Sequence, residues 1–110
     1  MSNALSFDGY ARQVHANAKE KGFWPDRVDD IFIAKQCMMI VSEVTELMEA
    51  IRKDRGKEEV AHETADILIR TLDLWQGMLD NGYAEGSLQS AFNSKTEKNK
   101  LRPERHGVRF

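Results

Sequence analysis

Residues 31–81 read IFIAKQCMMI VSEVTELMEA IRKDRGKEEV AHETADILIR TLDLWQGMLD N, and this stretch decides the fold. In its first half Ile33, Cys37, Ile40, Val44, Leu47 and Ile51 recur at steps of four and three, the signature of one helix face. In its second half Val60, Ile67, Leu74 and Met78 line one side, while Ala61, Ala65, Leu68, Leu72, Trp75 and Leu79 line an adjacent one. Between the halves Lys53 and Arg55 suit a helix C-terminus, and Gly56 offers a left-handed cap. Each helix is expected to run about 25 residues, or about 38 Å. A link of only a few residues predicts that the two lie antiparallel, as a long hairpin.

Working outward, Asp29-Asp30 suits the start of the first of these helices, and Asn81-Gly82 the end of the second. A helix over about 4–20 precedes them, stopped by Gly22 to Pro25, and a shorter one over about 84–99 follows, with Leu88, Ala91 and Phe92 as its apolar side. The fold class predicted is all-α, a four-helix bundle in one domain spanning 1–110. The apolar faces of the two long helices are too wide for two short helices to cover. A homodimer or homotetramer is therefore expected.

Composition excludes several classes. The 110 residues are 41% apolar and 31% charged, a balance suited to a folded domain rather than a disordered chain. The longest apolar run, Cys37 to Val41, is far too short to span a membrane. A single cysteine precludes an internal disulfide and a thiolate zinc site. No basic start followed by an apolar core marks a signal peptide, so a cytoplasmic address is expected. The net charge of −2 hides a division: residues 95–110 hold six basic and two acidic groups, and the remainder is acidic. A basic tail on an acidic body is suited to clamping phosphate, touching nucleic acid, or standing solvated. Phe110 is the one aromatic in it, too few for a nucleic-acid arm, so no nucleic-acid partner is expected.

Four acids stand out on the long helices. Glu43 and Glu46 are one turn apart, as are Glu63 and Asp66, and antiparallel pairing brings the two pairs to similar heights. Four carboxylates converging on a half-buried patch do not all stay ionised without a cation. Oxygen ligands without thiolate favour Mg2+, with Mn2+ as a substitute. Two other patterns fail. His62-Glu63-Thr64-Ala65-Asp66 lacks the second histidine of a zinc-protease helix, and Glu59-x-x-His62 is one half of a di-iron motif that needs two.

Glu43-x-x-Glu46, sixteen residues, then Glu63-x-x-Asp66 resembles the metal motif of MazG-like nucleoside triphosphate pyrophosphohydrolases. The text around it, residues 40–52 and 63–70, agrees, and the tail Lys98-Asn99-Lys100-Leu101-Arg102-Pro103-Glu104-Arg105-His106-Gly107 is similar to that family's phosphate-contacting segment. The resemblance covers about residues 10–110. It implies Mg2+-dependent cleavage of a (deoxy)nucleoside triphosphate to the monophosphate and pyrophosphate, in nucleotide-pool house-cleaning, by a helical bundle completed through dimerisation. On this resemblance Glu43, Glu46, Glu63 and Asp66 hold metal, and Glu43 and Glu46 belong to the catalytic machinery. Lys98, Asn99, Arg102 and His106 meet the substrate's phosphates. His15 and Trp24 resemble the base-side pocket of the dCTP-cleaving branch, which implies pyrimidine substrates. Many members open the first pair with Glu-Glu, whereas Ser42 holds the leading position here, one acid fewer for proton transfer. The alternative from a different class is a non-catalytic helical dimer that binds nucleotide or protein.

Overall fold

The computed structural model describes residues 5–104, which form four α-helices and no strand. They are α1 (Phe7–Glu20), α2 (Asp30–Arg52), α3 (Lys57–Asp80) and α4 (Leu88–Lys100). Local chemistry sets the ends. Ser6, Asp29 and Ser87 cap α1, α2 and α4, their side chains accepting from the N–H groups of Gly9, Phe32 and Ser90. Gly22 and Gly82 turn left-handed just past α1 and α3, as expected, with φ of 81° at both. After α2 that position falls to Asp54, at φ 50°, and the Arg55 N–H reaches back to the Ala50 carbonyl. Gly56 has positive φ too, but as the residue before α3 rather than as the stop of α2.

α3 is the central helix, packed against both α1 and α2, while α4 rests on α1. A reciprocal knot ties α4 to α1. Asp8 accepts from the Ser87 hydroxyl and the backbone N–H groups of Leu88 and Gln89, and the Phe7 N–H donates to the Gln89 side chain. The Phe7 and Phe92 rings meet edge to face beside it, 4.8 Å between centroids.

The buried apolar core among the described residues is small: Ala11, Ala50 and Leu74. The stripe expected to be buried on α2 divides, with Ile33, Ile40 and Leu47 half-buried and Cys37, Val44 and Ile51 exposed. Ile31, Met38, Val41 and Met48 are exposed on the same helix, and Leu68 and Ile69 on α3. The radius of gyration is 16.4 Å, against about 13 Å for a compact chain of about this size. The helices are thus spread, with apolar surface left open. None is long and apolar enough to cross a membrane.

Candidate functional site

A polar seam runs along α3. Glu59, Glu63, Asp66, Arg70, Asp73 and Gly77 follow one another at steps of four and three, so all six share one face. Half of the α2 motif meets this seam. Carboxylate oxygens of Glu43, Glu63 and Asp66 lie within 4.8 Å of one another. Glu63 is buried, Glu43 half-buried and Asp66 exposed, so the triad grades from protein to solvent. Glu46 stands outside it and exposed, yet close enough for its charge to act on Glu63.

Burial is the main reason the Glu63 carboxyl is held above its ordinary pKa of 4.5. A hydrogen bond with Glu59 and the charges of Glu46, Glu59 and Asp66 push it the same way. Glu59 lies outside the four-acid motif read from the sequence. Its distance of one helical turn from Glu63 was the available signal.

The donor set suits a hard divalent cation. All three donors are carboxylate oxygens, and the burial and crowding that disfavour the anion of Glu63 are what a cation relieves. One protein cation already touches the triad: Arg70 Nε–H donates to Glu43 Oε1 at 3.1 Å, bridging α3 to α2.

Glu43, Asp66 and Arg70 open on a cavity of about 870 Å³, whose wall also includes Asn17, Phe23 and Asp73, whereas the buried Glu63 does not line it. The next group along the seam is a second knot. Asp73 receives the Trp24 indole N–H on both oxygens, at 3.0 and 3.1 Å, and lies 2.7 Å from His15 Nδ1. Facing a carboxylate that only accepts, that nitrogen bears the proton. His15 is 4% exposed, and its ring meets Trp24 edge to face, 4.7 Å between centroids; Trp24 in turn meets Phe32. Gly77 makes room for this arrangement, since a Cβ there would lie 2.5 and 2.6 Å from Cζ3 and Cζ2 of Trp24 and closer still to Cη2.

His15 and Trp24, paired by the sequence reading, are therefore in contact, through an aspartate that reading did not single out. Neither lines the cavity beside the acids. Phe23, 69% exposed, and Asn17 do, whereas His15 opens on a separate cavity of about 380 Å³ with Arg12, Lys19, Gln76 and Asp80. Lys98 and Asn99 are exposed in the last turn of α4, with Arg102 just beyond, and none of the three lines the larger cavity. His106 lies outside the described residues.

No family model, curated protein or solved structure matches the chain.

Proposed function

We propose that this chain is a MazG-like nucleoside triphosphate pyrophosphohydrolase, cleaving a (deoxy)nucleoside triphosphate to the monophosphate and pyrophosphate with Mg2+. The observation that carries the reading is the meeting of Glu43, Glu63 and Asp66, of which Glu43 and Asp66 line a cavity of about 870 Å³. These are three of the four acids of the motif, and they come from both of its halves. The cavity has the size of a small-molecule site, and an exposed aromatic, Phe23, and an amide, Asn17, stand on its wall.

Glu43, Glu63 and Asp66 would hold the cation, with Glu46 one turn from Glu43 to complete the set. Bound there, Mg2+ supplies charge neutralisation of the phosphates and a more acidic water. The chain's own residues do the rest. A carboxylate oxygen of this cluster that the cation does not engage would accept the proton of the attacking water. Phe23 would offer a face to the base, and the resemblance assigns Lys98, Asn99, Arg102 and His106 to the outer phosphates, which the first three would have to reach from beyond the cavity wall. The Asp73 knot fixes His15 and Trp24 behind that wall, which agrees with a role in shaping the base side for a dCTP-like pyrimidine. We read α2 and α3 as the antiparallel hairpin of the fold. The open apolar faces of α2 and α3, together with the small core, support a homodimer or homotetramer, and we keep the cytoplasm as its expected address.

The test is a panel of the eight canonical NTPs and dNTPs with Mg2+, reading pyrophosphate against orthophosphate. Release of pyrophosphate and monophosphate from at least one is expected. No turnover of any, with either Mg2+ or Mn2+, refutes the reading and leaves the binding-module alternative.

A further inference from the structure

The wall of the larger cavity is lopsided in charge. Glu20, Glu43, Asp66 and Asp73 line it, and Arg70 is the one cationic side chain among the described residues that do. Asp73 already serves His15 and Trp24. The Arg70 guanidinium spends its Nε–H on Glu43, and 38% of its side chain remains exposed at the cavity. Its remaining N–H groups form a planar fork whose direction the Glu43 bond fixes in advance. A group held in this way beside acids is poised for an anion entering the same cavity, and the exposed lysines of α4 do not line that cavity.

Resting on the function proposed above, we infer that Arg70 is a substrate-contacting residue, its guanidinium donating to a phosphate oxygen of the triphosphate beside Glu43, which holds it in register. The alternative is a strut, an ion pair that merely ties α3 to α2 and orients Glu43. The two differ in sign. As a phosphate contact, Arg70 helps an anion bind, and its positive charge opposes a cation at the neighbouring acids. As a strut, it helps both, because both then need Glu43 in place.

The experiment compares wild type with Arg70→Gln and Arg70→Lys by two titrations. One is Mn2+ alone, followed by electron paramagnetic resonance. The other, at saturating Mg2+, is the α,β-methylene analogue of whichever canonical triphosphate the wild type cleaves fastest, followed by calorimetry. For Arg70→Gln the expected result is analogue affinity about ten- to a hundredfold weaker, with Mn2+ affinity unchanged or tighter. Arg70→Lys, a point charge without the fork, should recover part of the loss and show that the folded site survives substitution. Analogue affinity within twofold of wild type overturns the inference. So does a parallel loss of Mn2+ and analogue affinity in both variants, which makes Arg70 a strut. A wild type that cleaves no triphosphate refutes the function itself, and the inference falls with it.

Discussion

Gly77→Ala tests the architecture of the site through a change of sign. In an ordinary helix interior this substitution stabilises by about 1 kcal/mol, because glycine has more backbone freedom to lose. At position 77 the added methyl would enter the six-membered ring of Trp24. Either the ring stays and overpacking costs about 1–3 kcal/mol, or it leaves and forfeits a hydrogen bond to a carboxylate, about 1.5–3 kcal/mol. Net of the helix gain, Gly77→Ala should not stabilise and should cost up to about 2 kcal/mol. For a domain of about 100 residues the upper figure lowers the melting temperature by roughly 8–16 °C. Once Trp24 is replaced by alanine the obstacle is gone, and Gly77→Ala in that background should stabilise by up to about 1 kcal/mol. Thermal denaturation followed by circular dichroism on the four members of this cycle reads both signs. If Gly77→Ala stabilises the otherwise wild-type chain, Trp24 does not sit against α3, and the Asp73 knot is wrong.

Three further outcomes are expected. Glu63→Gln should lower turnover by orders of magnitude. Since the folded-state pKa of Glu63 is raised, its anion costs stability as pH climbs above 4.5, so at pH 7 without metal the variant should melt no lower than wild type; a marked loss of melting temperature contradicts this. Asp8 is held below its ordinary pKa of 3.8, chiefly by the Ser87 hydroxyl and then by the Leu88 and Gln89 N–H groups, against the opposing effect of burial. Its contribution is therefore complete above that pH and fades as pH falls through the lower folded value, so Asp8→Asn should flatten the acid limb of a stability–pH profile, and an unchanged limb counts against the knot. Light scattering of the folded protein should return a multiple of 12.6 kDa, and the monomer mass would remove the proposed assembly.

Much of the helical layout was legible because its signals are local. Ser, Asp and Gly at the caps act within a few residues, so Gly22, Asp29 and Gly82 marked their helix ends correctly. The start of α4 was placed a few residues early, since its capping serine, Ser87, is supported by Asp8 from the far end of the chain. Periodicity misjudged the buried side of α2 for a different reason. That helix is apolar around most of its girth, so several stripes fit equally well, and only the position of α3 selects among them. Convergence of the acids was readable in large part, because helical spacing puts Glu63 and Asp66 on one face. The contacts that Asp73 makes were not: they join positions 49 and 58 residues apart, and no local rule connects an aspartate to a tryptophan and a histidine at such separations.

The seam is legible in the sequence as steps of four and three along α3, beside the apolar residues of the same helix. Its order has physical content. Glu59, Glu63 and Asp66 gather negative charge toward the N-terminal half of α3, Arg70 reverses the sign one turn later, and Asp73 with Gly77 seats an aromatic ring. Acid, base and ring platform are thus carried by one rigid rod, with spacings fixed by the helix rather than by loops. α2 contributes Glu43, and it is Arg70 of the seam that holds it. Such an arrangement limits how much of α3 can be buried as apolar core, since six positions of one face are given to polar or backbone contacts. The small core and the site therefore have a common cause. On the function proposed here, a cation bound at the acids would restore part of the stability forgone on that face.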